Sequence, residues 1–289
     1  MYRFSIKDIE NLTGIKAHPL RIWEKRYALF SPARSDSGIR FYSIDELKIL
    51  LDVSLLNKYG FKISVINKMT KEHLQNSIAN LKEPQAQQER LINEILLSMI
   101  NLDADGLEKF LNAYIKTSGI AASISNIIFP FLQKIELLRS GGHLTAACEH
   151  LMSNIVRQKI IAGIEQQSHL PLHNKTILTF LPEGDYYEIE LLCMQYLMKR
   201  EGLNVIYLGA NVPVKDVIKI ALYKKPDYIH THLNNAMRNF NTDKYLEKLS
   251  QLFQEFKIII TGQQLENYKK DIPENIQLKF LMQDWPNYS

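Results

Sequence analysis

The sequence predicts a chain in three parts, helical in the first two and α/β in the last: a small head carrying a two-stranded wing, a bundle of four helices, and an open, doubly wound sheet of parallel strands. Three observations predict it. Apolar residues recur every three or four positions from the N terminus to about Gln167. A polar tip flanked by two arginine-bearing arms interrupts that period between Ser31 and Tyr42. Beyond Pro171, short apolar runs alternate with helical segments in the order strand, helix, strand.

In the head, Ser5-Ile-Lys-Asp8 has the spacing of a capping box, and Ile6, Ile9 and Leu12 supply an apolar stripe that Thr13-Gly14 ends. A second helix follows in His18-Pro-Leu-Arg-Ile-Trp-Glu-Lys-Arg-Tyr27. Leu20, Trp23 and Tyr27 fall at i, i+3 and i+7 on one face, which leaves His18, Arg21, Lys25 and part of Arg26 on the faces a partner can reach. Pro19 is tolerated because N–H groups in the first turn have no intrahelical acceptor. Ser31-Pro-Ala-Arg34 and Gly38-Ile-Arg-Phe-Tyr42 bracket the wing tip, and Ser43-Ile-Asp-Glu46 is a second capping box that opens a helix from Ile44 to about Tyr59. Thr70 to Leu81 closes the head, and Lys82 to Gln88 reads as a flexible polar linker.

The bundle runs from Glu89 to Gln167. Its four helices are separated by Asp103-Ala-Asp105, Ser118-Gly119 and Ser140-Gly-Gly142, and Pro130 is expected to bend the third. In the last part, strands are expected at Thr176–Leu181, Asn204–Leu208, Asp227–Leu233 and Lys257–Thr261. Helices lie between them near 187–200, 213–224 and 243–256. Ligands of such sheets bind at the carboxyl ends of the strands, so the loops after Leu181, Leu208, Leu233 and Thr261 are the ones that matter. Domain limits of 1–81, 88–168 and 174–289 follow.

Charge separates the parts. Residues 1–84 hold 14 Lys+Arg against 9 Asp+Glu, a net of +5, and the remainder carries 21 against 22, a net of −1. The positive excess therefore belongs to the head, as a surface that neutralises phosphates requires. Cys148 and Cys193 are too few for a disulfide framework or a thiolate metal site, and no metal is expected. Without a signal peptide or an apolar run of 18 residues, the chain is expected to be cytoplasmic and to engage no membrane. No nucleophile with its base, carboxylate pair or phosphate loop is visible, so it is not expected to be an enzyme.

Phe4-Ser-Ile6, Thr13-Gly-Ile15, Leu20-Arg-Ile-Trp-Glu-Lys-Arg-Tyr27, Pro32-Ala-Arg34 and Arg40-Phe-Tyr42 together resemble the winged helix-turn-helix of the MerR family of transcription regulators, over roughly the first 75 residues. The resemblance implies that the second helix enters the major groove of double-stranded operator DNA through Lys16, His18, Arg21, Lys25 and Arg26. By the same resemblance the wing arginines Arg34 and Arg40 hold flanking phosphates, and Tyr42 is expected among the DNA contacts. The order of head, bundle and sheet is similar to the cobalamin-binding, light-dependent repressors of that family, in which adenosylcobalamin lies between bundle and sheet and drives oligomerisation on the operator. Gly142-His-Leu-Thr-Ala-Ala-Cys-Glu-His150, Leu181-Pro-Glu-Gly-Asp-Tyr-Tyr-Glu-Ile-Glu-Leu-Leu192 and Tyr207-Leu-Gly-Ala-Asn-Val-Pro213 carry that likeness.

The site positions depart from it. Tyr187 stands where the cobalt-ligating histidine is expected, Glu190 where a glycine lets the corrin approach, and Arg139 where an indole shields the upper face. Glu149 and His150 remain, and Thr231 and Gly262 occupy further positions of that site. A phenol is a poor cobalt ligand at neutral pH, and a carboxylate under a macrocycle is costly to desolvate. The expectation is therefore a repressor whose sheet part oligomerises and has lost cobalamin, with a small-molecule or protein effector left open. The alternatives are a regulator that keeps adenosylcobalamin by a non-standard mode, or a corrinoid carrier of the methyltransferase type. Several residues carry bland readings beside these: Tyr187 packs the first sheet helix, Glu149-His150 is a surface pair joined to Arg139 or Arg157, and Asp185, Glu188 and Glu190 form a charged helix start. His230 and His232 share a strand face at its ligand end, either as structural groups or as ligands for a metal or an anion.

Overall fold

The computed structural model describes residues 3–27, 29–167, 174–234, 240–262, 265 and 268–279. The chain divides into two compact units, Met1–Ile155 and Val156–Ser289.

In the first unit, α1 (Ile6–Thr13) opens on the expected capping box. Asp8 N–H donates to Ser5 Oγ at 3.3 Å, and Ser5 N–H donates to Asp8 Oδ2 at 2.7 Å. Gly14 ends it in the left-handed conformation at φ 75°. The next helix, α2 (Ala17–Arg26), has no side-chain cap of its own; the Glu10 carboxylate reaches across from α1 to accept from Ala17 N–H at 3.2 Å. The wing strands β1 (Ala33–Arg34) and β2 (Arg40–Phe41) pair antiparallel, with Arg34 opposite Arg40. A bridge of Phe4 to Tyr42 ties the N terminus beneath them. Three helices complete the head: α3 (Ile44–Lys58), the short α4 (Ile63–Ile66), which the sequence reading missed, and α5 (Lys71–Ala79).

The linker expected at Lys82–Gln88 is mostly helix. The first bundle helix, α6 (Pro84–Ile100), begins at Pro84, a residue suited to a first helical turn because it has no N–H to leave unsatisfied. Ala86 is 1% exposed and shares a core with Leu55, Leu56, Ile66 and Ile78, so burial holds this segment against the head. Two further helices follow, α7 (Ala104–Ser123) and α8 (Phe129–Ser140), joined by a π-helical turn at Ile124–Ile128. Gly119, at φ 79° and ψ 167°, breaks α7 at the expected separator. The π turn lies immediately before Pro130, where the missing N–H disrupts the α ladder. The stretch Ala104–Ser140 is long and apolar enough to resemble a membrane span by composition. Its backbone is broken by Gly119 and the π turn, and it buries Leu107, Leu111, Ile127, Phe131 and Ile135. The last bundle helix, α9 (Ala146–Glu165), runs through the boundary between the units.

In the second unit the sheet comprises β3 (Thr176–Pro182), β4 (Asn204–Val212), β5 (Tyr228–His232), β6 (Lys257–Thr261) and β7 (Ile276–Lys279), all parallel. The order β4-β3-β5-β6-β7 makes it the flavodoxin-like type of doubly wound sheet, with the reversal of winding between β3 and β5. Its helices are α10 (Ile189–Arg200), α11 (Val214–Lys224) and α12 (Thr242–Leu252). β4 runs four residues past its expected end, through two irregularities in its pairing with β3. β7 was not expected by name; Ile276-Gln-Leu-Lys279 is too short and polar to stand out from the preceding loop. Leu178, Phe180, Ile229, Ile258 and Ile260, at 1% exposure or less, form the centre of the core.

Candidate functional site

On the head, α2 buries Leu20 completely and leaves Lys16, His18, Arg21, Lys25 and Arg26 exposed, so the apolar stripe turns a row of basic side chains outward. Lys16 Nζ pairs with Glu10 at 2.9 Å but stays 78% exposed. The wing arginines are engaged. Arg34 Nη2 donates to Glu24 Oε1 at 2.7 Å and Arg40 Nε donates to Glu24 Oε2 at 2.6 Å, joining both wing strands to α2. Burial works to raise the Glu24 carboxyl, and the two guanidinium groups outweigh it and hold it below the ordinary value.

Tyr42 requires a correction. It was expected among the DNA contacts, yet it is 1% exposed, packs against Phe30 with ring centroids 6.1 Å apart, and exchanges backbone hydrogen bonds with Phe4. A strand that ends in a bridge to residue 4 has to turn its last aromatic side chain inward. Burial raises its phenol above the ordinary value.

The head is also fixed within its own unit. His143, in the loop between α8 and α9, donates from Nε2 to Asp8 Oδ2 at 2.8 Å and packs at a tilt of 47° against Phe4, with ring centroids 5.0 Å apart. Lys134 of α8 donates to Leu12 O at 3.3 Å and to Asn93 Oδ1 at 2.7 Å, and burial brings its ammonium down to about 8. Asp52 of α3 accepts from Gln75 Nε2 at 2.8 Å. Burial carries its carboxyl up to about 6 against that hydrogen bond, and Glu94 adds to the rise. None of these groups stood out in the sequence. The spacing Gly141-Gly142-His143 was the one available signal, a tight corner ending in a titratable ring.

Of the positions that the resemblance assigns to a cobalamin site, Arg139, Glu149 and His150 belong to the first unit and Tyr187, Glu190, Thr231 and Gly262 to the second. In the first unit Arg139 pairs with Glu136 and Glu149, and His150 is exposed. Of the two partners anticipated for Glu149, Arg139 is therefore the one observed. Arg157 instead meets Glu188 in the second unit, where Tyr207 OH donates to the other Glu188 oxygen at 2.8 Å.

In the second unit the loop after β3 is closed by Asp185, which is fully buried. Its Oδ1 accepts from Tyr187 N–H at 3.0 Å, its Oδ2 accepts from Asn234 Nδ2 at 2.9 Å, and Asn234 also donates to Tyr187 O at 3.1 Å. The Asp185 carboxylate thus fastens the loop to the end of β5. Tyr187 stands in this loop before α10 begins, its side chain 37% exposed, and Glu190 lies in the first turn of α10 where the dipole favours an acid. Gly262, at φ 131°, has no room for a Cβ beside the Leu233 carbonyl, so its glycine is required by the packing of two strand ends. The Thr231 hydroxyl and the Tyr245 phenol are buried beside one another, and burial raises the phenol against its hydrogen bond with Thr231.

His230 and His232 are both engaged by neighbouring hydroxyls. His230 is fully buried between the Thr179 hydroxyl at 2.7 Å and the Thr261 hydroxyl at 3.0 Å, and His232 Nδ1 lies 2.8 Å from the same Thr261 oxygen. Burial lowers His230 to about 3, which keeps it neutral. Among the described residues no group of three or more His, Cys, Asp or Glu is placed to hold a metal.

Where the resemblance expects a cobalt ligand and a close approach of the corrin, the chain has the Tyr187 phenol and the Glu190 carboxylate, and the neighbouring Asp185 carboxylate is bonded to Asn234 and Tyr187 N–H.

Comparison with known proteins places the head. Residues 4–73 match the family described as MerR HTH family regulatory protein, so a MerR-type helix-turn-helix domain forms the N-terminal part of the chain. The chain is 27% identical over 263 residues to the HTH-type transcriptional repressor CarA of Myxococcus xanthus, covering 89% of this chain and 85% of that one. It is 25% identical over 234 residues to the HTH-type transcriptional repressor CarH of the same organism, covering 79% and 77%. Among solved structures, a monomethylamine corrinoid protein of Methanosarcina barkeri superposes with a TM-score of 0.47 at 12% identity, over 64% of this chain and 92% of that one.

Proposed function

We propose that this chain is a sequence-specific DNA-binding transcriptional repressor of the cytoplasm, not an enzyme, that acts on a repeated operator as a homo-oligomer and has given up adenosylcobalamin. The observation that carries the DNA reading is the exposed row Lys16, His18, Arg21, Lys25 and Arg26 along α2, next to a wing whose Arg34 is half exposed. A helix of that width fits the major groove, and basic side chains there reach base edges or phosphates. The likeness to two repressors over most of the chain supports repression.

In this reading the parts 1–81, 88–168 and 174–289 serve as DNA-binding, bundle and effector-type modules, and self-association runs through the last two. A small-molecule or protein effector would act on those modules.

Gel-shift titration of the purified chain against its own promoter DNA and against random duplex, across salt, tests the claim. Arg21→Ala should weaken operator binding by roughly 1–3 kcal/mol if that guanidinium reads a base. Equal affinity for both duplexes would sink it.

Loss of the cofactor is supported by Tyr187, Glu190 and the engaged Asp185. Titration with adenosylcobalamin and hydroxocobalamin, followed spectroscopically in the dark and after illumination with sizing, is expected to show neither uptake nor a light-dependent change of size. A Tyr187→His, Glu190→Gly double variant is expected to gain affinity. A second reading keeps adenosylcobalamin without a protein ligand to cobalt. A stoichiometric cobalamin spectrum from the unaltered chain would decide for that reading.

A further inference from the structure

Glu24 holds one arginine from each wing strand on each of its two carboxylate oxygens. The two arginines are direct partners across the wing ladder, so this single side chain on α2 fixes both strands at once. The three groups differ in exposure: Glu24 is 14% exposed, Arg40 20% and Arg34 51%. A desolvated, charge-assisted contact is the stronger kind, and an ion pair open to solvent is easily exchanged. The Glu24–Arg40 half therefore belongs to the framework, whereas the Arg34 half can be given up to a competing anion.

We infer that Glu24 is a positioning residue for DNA recognition: with Arg40 it sets the angle of the wing against the recognition helix, and it holds Arg34 in reserve until a backbone phosphate takes its place. This rests on the DNA-binding reading and deepens it. It divides the two wing arginines, expected from the sequence to act alike, into a structural one and a phosphate-binding one. It also gives the carboxylate a second effect. A negative charge beside the recognition helix opposes every phosphate equally, so it lowers affinity for arbitrary DNA, while its positioning favours the one wing angle that suits the operator.

The full chain and its Glu24→Gln, Glu24→Asp, Arg34→Ala and Arg40→Ala variants are to be titrated with operator and random duplexes over a range of KCl. Glu24→Gln keeps the shape and loses the charge. It should tighten binding to random DNA several-fold and shrink the operator-to-random ratio about ten-fold. Arg34→Ala should reduce the slope of log affinity against log salt by about one on both duplexes, because it removes one phosphate contact. Arg40→Ala should shrink the ratio as Glu24→Gln does and leave the slope unchanged. Glu24→Asp, one methylene shorter, should give an intermediate ratio. A ratio unchanged within two-fold in Glu24→Gln, or a slope loss in Arg40→Ala equal to that of Arg34→Ala, overturns the inference.

A readout without DNA separates this from the parent reading. The Arg40 Nε–H resonance should exchange slowly with solvent in the unaltered chain and in Arg34→Ala, and should exchange fast in Glu24→Gln. If that pattern appears while the unaltered chain shows no operator preference, the clasp stands as architecture and the DNA-binding reading fails with its recognition role. If Arg40 Nε–H exchanges as fast in the unaltered chain and in Arg34→Ala as in Glu24→Gln, the clasp is refuted whatever the DNA result.

Discussion

Replacing Asp52 by asparagine should make this protein more stable at neutral pH. The carboxylate sits on α3 where α5 and α6 pack, with Gln75 donating to it at 2.8 Å, Lys48 and Arg90 attracting it and Glu94 repelling it. Burial dominates, and the carboxyl lies near 6 against an ordinary 3.8. The folded state therefore binds more protons than the unfolded one between those two values, and stability falls as pH rises through that window. Roughly two pKa units correspond to a cost of about 3 kcal/mol at pH 7, an upper bound because the site keeps some contact with water. Asparagine keeps the acceptor for Gln75 and carries no charge. The expected gain is about 1–3 kcal/mol at pH 7, or roughly 3–10 °C in the melting temperature of a unit this size. At pH 4.5 the unaltered carboxyl is already protonated in the folded chain and only partly in the unfolded one, so about two-thirds of the advantage should vanish. Urea titrations of both proteins at the two pH values measure it. An equal gain at both, or a loss at pH 7, would refute the argument from the buried charge.

Lys134→Met should likewise stabilise the chain at pH 7. Burial has lowered the lysine to about 8, so its charged form is disfavoured in the folded state below that pH, and the unaltered protein should regain stability between pH 8 and 10.5 as the folded ammonium loses its proton first. Calorimetry over that range would show the two proteins converging, and parallel curves would contradict the assignment. Tyr42→Phe removes a buried hydroxyl that has no partner among the described residues and should raise stability by about 0.5–2 kcal/mol with operator affinity unchanged. A several-fold drop in affinity would return Tyr42 to the DNA surface. Gly141→Ala should cost about 1–3 kcal/mol, because the new methyl would sit 2.9 Å from Asp8 Oδ1 and 2.7 Å from His143 Cδ2. Hydrogen exchange should report the loss first in α1, and exchange unchanged in α1 would count against the close approach.

Periodicity and capping located most elements because they act within a turn or two of chain. The two serine capping boxes, the wing between Arg34 and Arg40 and the helix break at Gly119 were all legible for that reason. The misses depend on residues far apart. A polar segment such as Pro84-Gln-Ala-Gln-Gln88 reads as linker by composition, and only the burial of Ala86 against Leu55 and Ile78 makes it the start of a helix. β7 owes its existence to a place beside β6 and carries little hydrophobic signal of its own. The irregularities that lengthen β4 are likewise set by its partner β3.

The candidate site divides along the same line. On α2 the outward row follows from spacing alone, since a helix that buries Leu20 must expose Arg21 and Lys25. What those side chains do next is a matter of pairing, and pairing is not periodic. Arg34 and Arg40 look equivalent in sequence, yet their shared acceptor lies ten and sixteen residues away. In the sheet unit the proposal that Tyr187 and Glu190 replace cobalamin-site residues starts from the sequence, because a residue type that cannot do the chemistry is visible as a letter. That Asp185 is already committed to Asn234, across 49 residues, could not be. The second fact strengthens the first: had only the ligand residue changed, one substitution would restore the site, whereas an aspartate bonded to Tyr187 N–H and Asn234 must also be released. A Tyr187→His variant alone should therefore gain less cobalamin affinity than one that also carries Asn234→Ala, and equal gains in the two would mean that the loop opens at no cost.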